Sequence, residues 1–261
     1  PMDVRCVVDN AVQRSSPFWG EHGVAFLIST ASGRVLFDTG QSGTVLLHNL
    51  NALGVPLSTI DTVALSHAHY DHTGGLPALL ELMDSEIPLY ANPDLFRERY
   101  SIRNGEPESV GMSLTREDLA ERMKLRLDSD PQQIVPGVWT TGTIAERHEM
   151  EGASDSHRMR EGGDLVRDAY LDDMALVLEL DDRVALLCGC CHAGLLNTMA
   201  QVERAFERPI GVIAGGMHLT GASEEDLDRV CAALAGRPAL TRIYPNHCTG
   251  EAAFVRLTSE L

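Results

Sequence analysis

The sequence predicts an α/β protein in which a two-sheet core carries helices on its outside, and three observations predict it. Up to about residue 92, short β-rich runs are joined by tight turns. In the last third, strands alternate with helices. The 261 residues, 44% of them apolar, are enough to bury a large core.

Taken in order, residues 4–8 (VRCVV) are rich in β-branched side chains and predict a first strand. Residues 24–29 (VAFLIS) and 34–37 (RVLF), separated by Ser32-Gly33, predict a hairpin. Over 44–53, Val45, Leu46, Leu50 and Leu53 keep helical spacing, and Gly54 and Pro56 end the helix. Residues 62–65 (TVAL) form a short buried strand that stops at a histidine cluster; a helix over 76–83 and a strand over 87–90 follow. From 93 to 137 the text turns charged and helical, and Thr115-Arg116-Glu117-Asp118 is a capping arrangement for a helix expected to run to Leu127. Residues 146–173, with Gly152, Gly162, Gly163 and many charges, read as a long exposed loop of the kind that covers a site. Strands at 175–180 and 184–188, a helix over 195–206, a strand at 210–214, a Ser223-capped helix to Leu234, a strand at 240–244 and a last helix from Glu251 complete the reading. No linker or internal repeat divides the chain, so a single domain over 1–261 is expected, with an inserted cover at about 93–173.

Charge narrows the functional classes. Twenty-one Lys and Arg against 38 Asp and Glu leave −17, which repels phosphate backbones and anionic lipid, so no nucleic-acid or membrane partner is expected. No apolar run approaches the roughly 18–20 residues of a spanning helix and no basic-then-apolar leader opens the chain. Pro1-Met2 reads as a start methionine behind a residue left by tag cleavage, and the cytoplasm is the expected location. Six unevenly placed cysteines do not resemble a secreted disulfide framework and are expected as thiols.

The informative stretch is Ser66-His67-Ala68-His69-Tyr70-Asp71-His72-Thr73-Gly74-Gly75-Leu76. His67, His69, Asp71 and His72 place four potential ligands within six residues, between a buried strand and a helix, where a loop can turn several side chains to one point. Imidazoles with a carboxylate are the donor set of zinc, iron or manganese, and a closed structural zinc site would favour cysteines, which are absent here. Alternation sends His67, His69 and Asp71 to one side of an extended segment and His72 to the other, which suits two neighbouring cations.

This pattern resembles the metallo-β-lactamase fold superfamily, and Phe37-Asp38-Thr39-Gly40 is similar to that superfamily's early Asp-Thr-Gly turn. Gly189-Cys190-Cys191-His192-Ala193-Gly194, Gly215-Gly216-Met217-His218-Leu219 and Pro245-Asn246-His247-Cys248-Thr249-Gly250 resemble the branch that holds dihydropterin-ribofuranosylaminobenzene phosphate synthase and many metal-dependent hydrolases. The resemblance implies an αβ/βα four-layer sandwich of two mixed sheets with outer helices, and a dinuclear site at the sheet edge. Carried over by position, His67, His69 and His192 would hold a first metal, and Asp71, His72 and His247 a second. The chain departs from the pattern in two places: Gly189-Cys190 stands where a Gly-Asp bridge is usual, and only Asp168, Asp172 and Asp173 precede the strand at 175. His218 would bind substrate, donate a proton or ligate. Cys190 and Cys191 read as packing residues; Arg147 would meet an anionic substrate or form a surface ion pair. His22, His48, His148 and His157 have no motif context and read as surface or supporting residues.

Two divalent cations, zinc first with iron or manganese as alternatives, lower the pKa of water to about 7, so a nucleophile exists without serine or cysteine. The implied activity is hydrolysis of a small anionic ester, phosphate or related substrate, with Asp71 and His218 as the catalytic residues. Two alternatives are a pterin-type synthase that transfers a group from a diphosphate, and an iron-dependent oxidoreductase on the same fold. The sequence leaves self-association open.

Overall fold

The computed structural model describes residues 2–260. Pro1, read above as a tag remnant, lies outside the described residues. The chain divides into two compact units. One comprises the described residues up to Ser129 together with Ser154–Asp172; the other comprises Asp130–Ala153 and the described residues from Asp173 onward.

In the first unit, a six-stranded mixed sheet runs Asp3–Val8, Ala25–Thr30, Gly33–Phe37, Thr62–Ala64, Ile87–Ala91, Met123–Leu127 in spatial order. The first two pairings are antiparallel and the remaining three parallel. The expected hairpin and the helices Gly43–Ala52 and Leu76–Leu82 are present. Ser42 caps the former by accepting from the Val45 N–H, and is itself held by Glu21 through its hydroxyl at 2.6 Å. Val45, Leu46 and Leu50 on that helix join Leu36, Val63, Leu65, Leu76, Leu79 and Leu89 in one apolar cluster, which is what makes the 3.6-residue periodicity stable here.

Register then places the site. Phe37 lies beside Ala64 in parallel strands, so the turns after both leave the sheet at the same end, the carboxyl end where α/β sheets bind ligands. The Thr39 N–H and hydroxyl both donate to the His72 carbonyl, at 2.7 and 2.9 Å. Gly75 packs so closely that a Cβ would stand 2.2 Å from the Thr39 carbonyl oxygen, so only glycine lets the histidine segment close against the Asp-Thr-Gly turn.

In the second unit, a six-stranded sheet runs Arg242–Asn246, Ile210–Gly216, Val184–Cys188, Leu176–Glu179, Val138–Thr140, Gln133–Val135. Its first three strands are parallel, with Cys188 beside Gly215 and Gly215 beside Pro245. The expected helices appear at Leu195–Phe206, Glu224–Ala235 and Glu251–Glu260, and Ser223 caps the second through the Asp226 N–H. Met199, Val202, Ile213, Leu227, Val230, Leu234 and Leu257 lie in a second apolar cluster.

The structure corrects the reading of 93–173. The capping box at Thr115 and Asp118 forms, but its helix is only Arg116–Ala120, and Met123–Leu127 is a strand added to the first sheet. Residues 146–173 are not one exposed loop, because His157–Glu161 and Asp164–Arg167 form a hairpin. That hairpin pairs with Arg99–Arg103 and Glu106–Ser109 in a four-stranded antiparallel sheet. Gln133–Val135 and Val138–Thr140 form a further hairpin that the sequence reading did not contain. Among the described residues no helix is long and apolar enough to cross a membrane.

Candidate metal centre

In the first unit, His67, His69, Asp71 and His72 are all buried, directly beyond the strand Thr62–Ala64. Asp38, in the left-handed region at φ 59°, organises them. Its carboxylate accepts the Ser66 N–H and hydroxyl, each at 2.7 Å, and the His72 Nδ1–H at 2.7 Å. With its proton committed to Asp38, the Ser66 hydroxyl accepts from His67 Nδ1 at 2.9 Å. Both rings therefore carry the hydrogen on Nδ1 and the lone pair on Nε2. A carboxylate or hydroxyl behind the ring fixes the ligating tautomer in this way in metal sites.

The facing atoms converge. His67 Nε2 lies 3.0 Å from His69 Nδ1, close to the ~3.3 Å that two nitrogen ligands of one tetrahedral zinc take. His72 Nε2 is 3.6 Å from the Asp71 carboxylate, and the His67 and His72 ring centroids are 4.2 Å apart. Burial pushes the His69 pKa well below the ordinary imidazole value, against the pull of Asp71, so this ring is neutral at pH 7, the form that ligates.

The positioning of this loop reaches further than the motif. Ala68, between the two histidines, donates its N–H to Asp172 at 2.8 Å. Asp172 pairs with the fully buried guanidinium of Arg99 at 2.7 Å, and Arg99 also meets Asp168 at 3.1 Å and Asp94 at 3.0 Å. Burial pushes the Asp172 carboxyl up to about 6, outweighing the adjacent cation. Two histidines without motif context also stand here. His22 Nε2 is 3.3 Å from the Asp71 carboxylate. His157 packs edge-on against His69 at 5.0 Å between centroids, its Nδ1 2.9 Å from the Tyr170 hydroxyl, and burial lowers its pKa. The sequence left both as surface or supporting residues without choosing between the two, since residues 22 and 157 are remote from the cluster and only the fold brings them to it. His48, by contrast, stacks on Trp19.

In the second unit, the segments after Val184–Cys188, Ile210–Gly216 and Arg242–Asn246 leave three adjacent parallel strands at their carboxyl ends. They carry Cys190 to His192, Met217 and His218, and His247 with Cys248. His192 donates its Nδ1–H to the Gly152 carbonyl at 2.8 Å, which leaves the lone pair on Nε2, and its ring lies 4.3 Å from that of His218. Ala193 is anchored through its N–H to the Asp173 carboxylate at 2.8 Å. Cys191, His218 and His247 adopt φ of 57°, 45° and 48°, strained values of the kind that cluster at functional sites. The Cys191 thiol is pushed well above the usual thiol range by its hydrogen bond with Cys188 and by burial, in keeping with packing. Arg147 pairs with Glu151 at 3.4 Å and bonds the Ile144 carbonyl, which is the ion-pair alternative of the sequence reading.

The chain belongs to the metallo-β-lactamase superfamily: the family profile of that description matches residues 19–91, and a full-length relative supports it. That relative is the 7,8-dihydropterin-6-methyl-4-(beta-D-ribofuranosyl)-aminobenzene-5'-phosphate synthase of Methanocaldococcus jannaschii. The two are 30% identical over 250 residues, covering 90% of this chain and 83% of that one. The uncharacterized protein MJ0448 of the same organism is 29% identical over 259 residues, covering 98% and 93%. Among solved structures, Tm1679, described as a metal-dependent hydrolase of the beta-lactamase superfamily, superposes with a TM-score of 0.84 at 25% identity, covering 100% of this chain and 93% of that one. The α/β architecture is thus the metallo-β-lactamase fold, which implies divalent metals.

Removing Asp38 gives a direct test of its orienting role. Asp38→Ala is expected to weaken divalent-metal affinity by about 10–100-fold, the usual cost of losing a partner behind ligating histidines. Competition against a chromophoric chelator would read the change; unaltered affinity would detach Asp38 from the site.

Proposed function

We propose that this chain is a metal-dependent hydrolase whose two divalent cations, zinc in the first instance, are held by His67, His69, Asp71, His72, His192 and His247. The observation that carries this reading is the Asp38 arrangement: one buried carboxylate fixes His72 directly and His67 through Ser66, presenting both Nε2 lone pairs to the same space. The donor set fits the group, since buried imidazole nitrogens and a carboxylate are ligand types that zinc takes.

When bound, the cations supply Lewis-acid charge that activates water and screens an anionic substrate on a protein of net charge −17. Asp71 is placed to orient a water and accept its proton, with His22 at 3.3 Å to steady the carboxylate. His218, on a strained turn beside His192, is placed to donate to a leaving group or to stabilise its charge. The neutral His157, hydrogen-bonded to Tyr170, stands beside His69 where it can bind substrate.

A second reading is favoured by the synthase relative: group transfer from a diphosphate, in which the same residues assist diphosphate departure. Metal quantification of the purified full chain, combined with a screen of bis(p-nitrophenyl) phosphate, thioesters, lactones and organic diphosphates, tests both. About two metals per chain with water-dependent turnover supports hydrolysis. Turnover of a diphosphate only with an added amine or aromatic acceptor would move the reading to transfer, and a chain that binds no metal would end both.

A further inference from the structure

We propose that Cys190 and Cys248, together with His247, form a thiolate-containing metal-binding corner, so that the cation held by His247 is bound through sulfur as well as nitrogen. The inference rests on the metal-centre reading above and replaces the packing role that the sequence suggested for Cys190. The two Sγ atoms and a ring nitrogen of His247 all lie within 4.8 Å of one another, within one compact unit. Three donors of a single tetrahedral zinc, at about 2.3 Å for sulfur and about 2.0–2.1 Å for nitrogen, lie some 3.5–3.8 Å apart, so small side-chain rotations close the site.

The cysteines of this unit divide into two kinds. Cys188, Cys191 and Cys231 belong to its apolar cluster among Leu195, Met199, Ile213 and Val230. Cys190 is equally buried but lies outside that cluster, and half-buried Cys248 lies outside it too, its thiol directed to the Cys190 carbonyl at 3.6 Å. The backbone makes room for this pair. A Cβ on Gly216 would stand 2.6 Å from Cys248 Sγ and 3.3 Å from His247 Cδ2, so the glycine that ends the neighbouring strand is what lets the two side chains sit side by side. His247 accepts a left-handed φ of 48° at the same point. On coordination each thiol gives its proton to solvent as the sulfur–metal bond forms. Thiolates favour zinc and cobalt over magnesium and manganese, so the corner also sets metal choice.

The test uses full-length protein stripped with chelator and titrated with Co(II), read by absorbance with bound cobalt measured by elemental analysis. The expected result is a near-ultraviolet sulfur-to-cobalt charge-transfer band. It should fall by roughly half in Cys190→Ser and in Cys248→Ser, vanish in the double variant, and stay at full intensity in Cys231→Ser. Far-UV circular dichroism of each variant confirms the fold, and Cys248→Ala provides a second variant should the serine disturb packing. Cobalt bound at wild-type stoichiometry without this band, or a band unchanged in the double variant, would overturn the sulfur ligation while leaving the metal centre intact. Failure of wild-type protein to bind cobalt at all would overturn both.

Discussion

Alanine at His69 or Asp71 is expected to lower kcat/KM by at least about a thousandfold, on whichever substrate the wild type turns over, without unfolding the protein. The charge stabilisation that a bound cation supplies is worth several kcal/mol, and each 1.36 kcal/mol is a factor of ten in rate. The fold survives because neither side chain belongs to the apolar cluster of its unit. The strand before them is held by backbone pairing at Val35 to Phe37 and at Leu89 to Tyr90. Steady-state kinetics, metal content and far-UV circular dichroism on the same preparations separate the two effects. Full activity in either variant would remove the residue from the mechanism.

The largest effect on stability is expected at Arg99. Its guanidinium is wholly buried, lies against Asp94, Asp168 and Asp172, and also donates to the backbone carbonyls of Asp94 and Arg97. Arg99→Met would leave buried carboxylates without their cation, which costs about 3–5 kcal/mol, a fall of about 10 °C in Tm for a chain this size. Arg99→Lys should recover little, because one ammonium cannot replace a planar fork that meets several oxygens at once. The pH dependence has a definite sign. The Asp172 carboxyl is held at about 6 in the folded state against an ordinary 3.8, so between those values the folded state keeps a proton that the unfolded chain has lost. This group therefore favours folding most below about pH 4, and its contribution falls as pH rises to about 6, opposite to the usual behaviour of an aspartate. Thermal denaturation across that range should show the slope in wild type and a flatter profile in Asp172→Asn. Identical slopes would mean that burial does not govern this carboxyl.

Much of the candidate site was legible because most of its proposed ligands are local. His67, His69, Asp71 and His72 sit on one strand-to-helix turn, and nothing in an ordinary core asks for that density of imidazoles. The helices 43–52 and 195–206 were legible for a related reason, since their apolar faces repeat within a few residues. What escaped depended on partners far along the chain. Arg99 reads as one charge among many until Asp168 and Asp172, about seventy residues on, close around it. His157 is similarly mute without Tyr170 and His69. The segment Met123-Lys124-Leu125-Arg126-Leu127 carries period-two alternation, but its lysine, arginine and leucines are good helix formers after a genuine capping box. Edge pairing with Ile87–Ala91 decided the outcome. Around Gly162-Gly163 the flanking charge masked a hairpin turn, because of those two strands only Met159 is buried and the apolar alternation that marks a strand is weak.

The hold of Asp38 on Ser66 and His72 has a consequence for how the protein matures. The ring orientations are built into the polypeptide by a buried acid, so little rotamer entropy is left for an incoming ion to remove. In zinc fingers, by contrast, the chain stays unstructured until it is loaded. On the proposed reading, the ligating orientation of His72, and of His67 through Ser66, would come from Asp38 and not from the ion.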